Sequence, residues 1–296
     1  MRIIDCFMFF NEDFILDIRL NELNQYVDKF VIVESNFTHS GDKKNFNFQI
    51  EKYSKFKNKI IYIKIKDKPK NLIEINKLDT KKQIKQKQII NSLILENYQR
   101  NYLQNAIKEF DDNDFILISD VDEIPNLKLI DLNKYKNFII IFEQYFFHYK
   151  LNLYLKDFFF HGSKGCLKKN LKSPQWLRNV KNKKYSFFRL DTLFSNKKYQ
   201  KVRIIEKGGW HFTNIMDEEK ILYKIKSYLH HADFPEDLLN KETFKKLILD
   251  KQIMYDHSVD KNQDRFKNKK QLDTFEENLL PTYILENNDK FKDWLV

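Results

Sequence analysis

Short apolar runs alternate with an amphipathic stretch at the start of the chain. The segment "RIIDCFMFF" is typical of a buried strand. Residues 12–27 then carry apolar side chains at the 3.6-residue spacing of a helix, with Asn11 as the expected N-cap. Two further apolar runs, "KFVIVES" and "KIIYIKI", are predicted to be strands.

A long helical pattern over residues 82–110, which fits one helix or two, precedes the apolar run "DFILIS". Strands that alternate with helices predict an α/β fold in which a largely parallel sheet is covered by helices. In such sheets, ligands bind beyond the carboxyl ends of the strands. Glu34 and Asp120 both lie at predicted strand ends.

The second half of the chain is richer in aromatic, strand-like stretches. Residues 137–155 form the longest of them. Shorter strand patterns cover residues 185–190 and 200–206, and helical patterns cover residues 217–231, 236–254 and 283–294. No internal repeat or low-complexity linker divides the sequence, so we expect one domain over residues 1–296.

The composition restricts the classes of function. A formal charge of +11 invites a nucleic-acid-binding interpretation, but 46 of the 53 basic residues are lysines interleaved with acids, which favours a solvated surface. Two cysteines provide no disulfide framework or metal cluster. No apolar stretch of about twenty residues is present, so we expect a soluble, cytoplasmic protein that can work at the inner membrane surface.

Three acids, Asp120, Asp122 and Glu123, follow the buried run "DFILIS" directly. Like charges at this spacing repel each other and resist desolvation, so a compensating partner is expected. In an extended chain the D-x-D spacing places both aspartates on one side, an arrangement that suits a hard divalent cation. A solvated loop that caps a helix after Pro125 is the alternative.

Two further residues are candidates for chemistry. His211 lies in "GGWHF", where it is either a core residue or a metal ligand, and the paired glycines suggest a positive φ or a close approach. Arg100 lies on the helix before the acidic strand, where it fits either a diphosphate contact or an ion pair with Asp120 or Glu34. Arg178, which follows a Pro-containing turn, is expected to be exposed, and contact with an acidic substrate group is the alternative.

Five segments together resemble glycosyltransferase family 17. They occur in the order and spacing of that family, over about residues 2–294: "DCFMFFNEDFILDIRLNEL", "VDKFVIVESNFTHSG", "ISDVDEIP", "GGWHF" and "LPTYILENNDKF". The resemblance implies a GT-A-like fold, a nucleotide-sugar donor such as UDP-GlcNAc, and inversion at the anomeric carbon. It also implies a nucleotide-sugar-binding half at 1–135 and an acceptor-side half at 136–296.

The resemblance also implies roles for single residues. Asp120, Asp122 and His211 match the metal site, for Mn²⁺ or Mg²⁺. The residues expected to bind the donor are Glu34, Arg100, Asp120, Glu123 and Trp210, the last as a sugar-stacking surface. The general base is expected to be Glu219, Asp191 or Glu143, in that order. The acceptor is expected to be a glycan, on a lipid or on a glycoprotein, and no nucleic-acid partner is expected.

Two alternatives stay open at the level of sequence. The run "FILISDVDE" also looks like the D-x-D motif of haloacid-dehalogenase-type phosphatases, in which the first aspartate is the nucleophile. The net charge alone would suit a nucleic-acid-binding protein. Hydrolysis of p-nitrophenyl phosphate tests the first alternative, and salt-sensitive binding to random oligonucleotides tests the second.

Overall fold

A seven-stranded mixed sheet forms the centre of the computed structural model, which describes residues 1–182, 195, 197–198, 200–227, 238–254 and 269–296. The described strands are, in chain order, β1 (Ile3–Met8), β2 (Lys29–Ser35), β3 (Ile60–Ile65), β4 (Phe115–Asp120), β5 (Glu123–Pro125), β6 (Ile139–Phe142), β7 (Gln144–His148), β8 (Leu153–Phe160), β9 (Lys164–Leu167), β10 (Val202–Ile205), β11 (Gly209–Thr213), β12 (Gln252–Ile253), β13 (Lys270–Gln271) and β14 (Asp273–Thr274).

The large sheet has the order β10–β6–β9–β4–β1–β2–β3. Strands β4, β1, β2 and β3 are mutually parallel, β10 is parallel to β6, and β9 is antiparallel to both of its neighbours. The predicted mostly parallel α/β sheet is therefore confirmed. The pattern at 185–190 lies outside the described residues.

The described helices are α1 (Asp13–Leu23), α2 (Lys81–Tyr102), α3 (Gln104–Ile107), α4 (Pro174–Asn179), α5 (Glu218–Ser227), α6 (Lys241–Leu249), α7 (Thr282–Glu286) and α8 (Asn288–Phe291). The pattern over 82–110 thus becomes two helices, and Thr80 and Gln83 form a capping box at the start of α2. The expected N-cap was wrong, because Glu12 holds that position and accepts hydrogen bonds from the backbone N–H groups of Phe10 and Asn11.

Apolar side chains cover both faces of the large sheet. In β2, Phe30 and Ile32 belong to one buried cluster, and Val31 and Val33 belong to the cluster on the opposite face. Burial on both faces explains why these strands are continuous apolar runs in the sequence rather than alternating ones.

A second sheet, of order β14–β8–β7–β11–β5, brings two distant motifs together. Strands β5 and β11 are antiparallel, and His211 pairs with Glu123, so "GGWH" lies beside "DVDE". The expectation for the paired glycines is confirmed at Gly209, whose φ is +143° and whose side chain, if it had one, would meet the carbonyl of Ile124. Among the described residues, no helix is long and apolar enough to span a bilayer.

Candidate functional site

A fully buried arginine fixes the acidic turn at residues 120–123. The Arg19 guanidinium donates to both carboxylate oxygens of Asp5, at 2.8 and 2.6 Å. Its Nη1 atom donates to the carbonyls of Asp120 and Glu123, at 3.2 and 2.6 Å. The Arg19 side chain has no exposed surface, and its charge-assisted hydrogen bonds fix the path of the chain after β4.

The turn separates the two aspartates of the D-x-D motif. The sequence argument for two carboxylates on one side requires an extended chain, but β4 ends at Asp120 and residues 121–122 form a turn. The Asp120 and Asp122 side chains therefore contact different partners.

Asp120 lies between two guanidinium groups. Its Oδ1 atom accepts from Arg100 and its Oδ2 atom from Arg178, each at 3.0 Å. Although burial opposes the charged form, Arg178 and Arg100 lower the pKa of Asp120 to about 2. With both carboxylate oxygens bound to guanidinium groups, this residue does not suit the nucleophile of the phosphatase alternative.

Glu123 is enclosed by Arg178 in a bidentate ion pair, with N–O distances of 2.6 and 2.8 Å. Its Oε2 atom also accepts from the backbone N–H of Asp120. Gly162 packs so closely that a Cβ atom there would lie 2.4 Å from the Glu123 carboxyl carbon. These contacts give Glu123 a structural role and leave its side chain only 1% exposed, so they do not favour a donor contact.

Asp122 contacts a histidine and a lysine instead of arginines. His211 Nε2 lies 3.5 Å from its Oδ1 atom, and Lys224 Nζ lies 3.2 Å from its Oδ2 atom. Lys224, from α5, also lies 3.3 Å from Oε1 of Glu12. Burial opposes ionisation here as well, but Lys224 and His211 hold the pKa of Asp122 well below its usual range.

A cleft adjoins this cluster at the carboxyl ends of β1, β2 and β4. Its empty volume, which includes space open to solvent, is about 430 Å³. The polar residues that line it are Glu12, Thr38, His39, Gln99, Asp120 and Ser227. This is the edge at which parallel α/β sheets bind their ligands, and a ligand site here stays a prediction.

Glu34 lies near this edge, but its carboxylate is already satisfied. It is fully buried and accepts hydrogen bonds from Lys44 Nζ, the backbone N–H groups of Asn47 and Phe48, and the Tyr62 hydroxyl. These donors tie β2 to the following loop and to β3, so the geometry supports a structural role. A nucleoside contact by Glu34 stays a prediction.

Trp210 belongs to the hydrophobic core rather than to an open surface. It is 5% exposed, and its indole Nε1–H donates to the carbonyl of Leu279 at 2.9 Å. An aromatic residue with buried faces presents no surface for a sugar ring, so this structure does not support the stacking role.

The three expected general bases lie in different places. Glu219 is on α5, 74% exposed, and pairs with Lys241 at 2.8 Å. It lies five residues from Lys224 and hence about 140° around the helix. Glu143 lies between β6 and β7, and its Oε2 atom is 3.6 Å from His161 Nε2. Asp191 lies outside the described residues.

The expected metal site fits in part. His211 Nε2 lies 3.5 Å from Oδ1 of Asp122, and Mn²⁺ accepts both imidazole nitrogen and carboxylate oxygen as ligands. A metal ion whose coordination is completed by substrate phosphates usually has few protein ligands. Asp120 does not join them, because its oxygens are bound to arginines. Within the described residues, no group of three or more His, Cys, Asp or Glu is arranged to hold a metal ion. The expected metal site stays a prediction, of which the structure brings Asp122 and His211 together.

Sequence reasoning missed two residues that compensate the acids, Arg178 and Lys224, and one further acid, Glu12, that shares Lys224. Arg178 was expected at the surface, but its side chain is 13% exposed, and no signal in "SPQWLRN" named its partner. Lys224 does carry a signal, because it lies three residues after Ile221 and three before Ser227, on the buried stripe of α5. Glu12 was interpreted only as part of the helix pattern, and its contact with Lys224 was not predicted.

Comparison with known proteins identifies the class. The family described as glycosyltransferase family 17 matches this chain over residues 1–296. The chain therefore belongs to glycosyltransferase family 17, as its motifs indicated. Neither the phosphatase nor the nucleic-acid-binding alternative is supported by this result.

A curated relative is the β-1,4-mannosyl-glycoprotein 4-β-N-acetylglucosaminyltransferase of Rattus norvegicus. The two sequences are 22% identical over 320 residues, which covers 98% of this chain and 54% of the rat protein. The chain thus spans about half the length of this relative.

Solved structures give only weak matches. The structure of HddC from Yersinia pseudotuberculosis is 13% identical, has a TM-score of 0.31, and covers 70% of this chain and 91% of HddC. A second HddC structure, complexed with GMP-PN, has a TM-score of 0.30 at the same identity, over 70% of this chain and 90% of that one. At these TM-scores the matches carry no argument about fold or ligand.

Proposed function

We propose that this protein transfers a sugar, GlcNAc in the first instance, from a UDP-sugar to a hydroxyl group of a glycan, with inversion at the anomeric carbon. Family membership supports glycosyl transfer, and the name of the rat relative supports GlcNAc. The observation that carries the proposal is the pair formed by Asp122 and His211, which Lys224 links to Glu12 in the lining of the cleft at the carboxyl ends of β1, β2 and β4. The parallel order β4–β1–β2–β3 supports the GT-A-like fold.

The leaving group of this reaction is a nucleoside diphosphate, whose charge must be stabilised as the sugar departs. Asp122 and His211 would hold Mn²⁺ or Mg²⁺, which supplies Lewis-acid stabilisation of the diphosphate when bound. The chain itself positions these two ligands, because Arg19 fixes the acidic turn and the β5–β11 pairing brings His211 to it.

Arg100 and Arg178 have a supporting role in this proposal. Arg100 holds Asp120 and, at 2.8 Å, Glu96, and its side chain is 3% exposed. Arg178 holds Asp120 and Glu123. Both guanidinium groups are already engaged by carboxylates, so they keep the turn rigid and Asp120 ionised. A direct contact of Arg100 with the diphosphate stays a prediction.

An inverting transfer also needs a base that accepts the proton of the acceptor hydroxyl. We propose that one of Glu219, Asp191 and Glu143 is this base. The substitutions Glu219→Gln, Asp191→Asn and Glu143→Gln distinguish them. The correct one should lower kcat by roughly 10²- to 10⁴-fold and leave donor binding unchanged. A variant that loses donor binding as well would be assigned to the donor site instead.

The proposed donor site is tested by thermal unfolding of the purified protein with a panel of nucleotides and nucleotide sugars, with and without Mn²⁺. A ligand at about 100 times its Kd adds about 2.7 kcal/mol to the free energy of unfolding. We expect UDP and UDP-GlcNAc with Mn²⁺ to raise Tm in the wild type and not in Asp122→Ala. If no nucleotide raised Tm under either condition, the proposed donor site would be wrong.

The acceptor is proposed to be a glycan, either lipid-linked or on a glycoprotein. Donor hydrolysis and transfer can be followed separately with radiolabelled UDP-GlcNAc and the two acceptor types. Transfer to one acceptor well above the rate of donor hydrolysis would identify the class, and transfer to neither would contradict this part of the proposal.

A further inference from the structure

Lys224 places a buried ammonium group between two buried carboxylates. Its Nζ atom lies 3.2 Å from Oδ2 of Asp122 and 3.3 Å from Oε1 of Glu12. The side chains of Lys224, Asp122 and Glu12 are only 7, 9 and 2% exposed. Two carboxylates this well enclosed require a cation close by, because an unpaired charge in such a place is strongly unfavourable.

The ammonium group therefore compensates the negative charge of Asp122, as a bound metal ion would. It contacts one oxygen of the carboxylate, while the other oxygen lies 3.5 Å from His211 Nε2. The second imidazole nitrogen, Nδ1, is buried without a hydrogen-bond partner among the described residues. The lysine thus compensates one oxygen of Asp122, and the other oxygen faces His211 Nε2, which also lies 3.0 Å from the Thr213 hydroxyl oxygen.

Lysine differs from the arginines nearby in a way that matters here. Its charge is carried at the end of a flexible four-carbon chain, whereas a guanidinium group forms a planar, rigid fork. Glu12 is also held independently of Lys224, because its Oε2 atom accepts from the backbone N–H groups of Phe10 and Asn11. A change of partner at Asp122 thus requires movement of one side chain and no rearrangement of the turn.

We propose that Lys224 and a divalent cation are alternative partners of Asp122, so that the lysine neutralises the site until an ion replaces it. This ion-pair exchange follows from the geometry of Asp122, Glu12 and Lys224. Its consequence for catalysis rests on the proposed function: Mn²⁺ at Asp122 would face the donor diphosphate, whose charge the displaced ammonium group can then meet.

The experiment measures Mn²⁺ binding by the electron paramagnetic resonance signal of free Mn²⁺, with no nucleotide present. Lys224→Met removes the competing charge, so we expect it to bind Mn²⁺ about tenfold or more tightly than the wild type. The control, Lys220→Met, lies one turn earlier on α5 at an exposed lysine paired with Asp217, and should bind like the wild type. Equal or weaker Mn²⁺ binding by Lys224→Met would overturn the proposal.

Two further variants test whether the gain in Mn²⁺ affinity arises at Asp122 and whether it depends on correct folding. In the double variant Lys224→Met with Asp122→Asn, the gain in Mn²⁺ affinity should disappear, which places it at Asp122. Retention of the gain would overturn the proposal. If Lys224→Met does not fold, Lys224→Gln takes its place, since the amide can still donate a hydrogen bond to the carboxylates.

A measurement on the wild-type protein needs no substitution at all. Acetylation of lysines, followed by mass spectrometry, compares Lys224 with Lys220 in the same chain. Mn²⁺ should raise the acetylation of Lys224 at least severalfold and leave that of Lys220 unchanged. An unchanged ratio would overturn the exchange but not the donor site, which UDP-dependent stabilisation tests independently.

Discussion

Asp120 and Asp122 are two residues apart, yet they have different partners. Asp120 accepts from Arg100 and Arg178, which also hold Glu96 and Glu123 in a network of ion pairs. Asp122 contacts an imidazole and a lysine. Guanidinium groups make rigid, bidentate and permanent partners, whereas lysine is a mobile point charge. From this difference we propose that Asp120 belongs to the scaffold and that Asp122 is the aspartate that meets a ligand.

The largest expected effect comes from Arg178→Met. This substitution removes the bidentate partner of Glu123 and one partner of Asp120, and leaves a carboxylate with 1% exposure uncompensated. Loss of one member of a buried ion pair costs about 3–5 kcal/mol. Urea unfolding measures the change.

The control Arg203→Met removes an exposed arginine that stacks on Tyr135, and should cost under about 1 kcal/mol. Equal losses would show that the network is not structural.

Asp120 should also make the protein sensitive to acid. Its folded pKa of about 2 lies below the value of 3.8 for an ordinary aspartate, so its stabilisation is complete above about pH 4 and is lost as the pH falls towards 2. The shift corresponds to about 2 kcal/mol. We expect Asp120→Asn to unfold with a shallower pH dependence than the wild type over this range, as followed by circular dichroism. An identical pH dependence would contradict the assigned ion pairs.

A further pH-dependent change in stability tests how Lys164 holds the backbone at Arg178. Lys164 is buried, and its Nζ atom donates to the carbonyls of Arg178 and Val180 at 2.6 and 2.7 Å. Burial, and then Arg178, lower the pKa of Lys164 to about 7. Between pH 7 and the ordinary lysine value of 10.5, the unfolded state binds more protons, so stability should rise with pH.

The measurement is urea unfolding of the wild type and of Lys164→Met at pH 7, 8 and 9. The wild type should gain up to about 1.4 kcal/mol per pH unit from this group, and the variant should lack that gain. A wild-type curve that falls with pH, relative to the variant, would contradict the direction of the pKa shift.

The smallest effect on stability is expected for Glu219→Gln. The residue is exposed and its ion pair with Lys241 lies at the surface, where such pairs contribute roughly 0–1 kcal/mol. Stabilisation by UDP should be unchanged, because the residue lies away from Asp122. A fall in turnover alone would identify Glu219 as the general base, and a fall in UDP binding would place it in the donor site.

The sequence predicts the fold well where one physical signal dominates. The apolar runs of β1, β2 and β4 mark strands buried on both faces, and their carboxyl ends mark the ligand edge. It predicts the site less well, because ion-pair partners come from distant elements. Nothing near Arg178 in the sequence indicates Glu123, which is 55 residues away. The D-x-D motif does not place both carboxylates on one side, because the chain turns after β4 and this turn depends on Arg19, a tertiary contact.

The halves proposed for the chain, 1–135 and 136–296, stay a prediction. One buried cluster contains both Phe7 from β1 and Phe212 from β11, so apolar packing crosses that boundary. The strand β5, which no sequence pattern predicted, forms through pairing with β11, a partner that a local pattern cannot reveal.

The most direct test of the account compares UDP binding in the presence of Mn²⁺ by Asp122→Asn and Asp120→Asn, using isothermal titration calorimetry on variants whose circular dichroism shows them to be folded. We predict that Asp122→Asn loses binding by roughly 100-fold or more, as expected when a group that stabilises the diphosphate is removed. Asp120→Asn should bind UDP at least ten times more tightly than Asp122→Asn. The opposite order, with Asp120 essential and Asp122 dispensable, would contradict the assignment of Asp122 to the donor site.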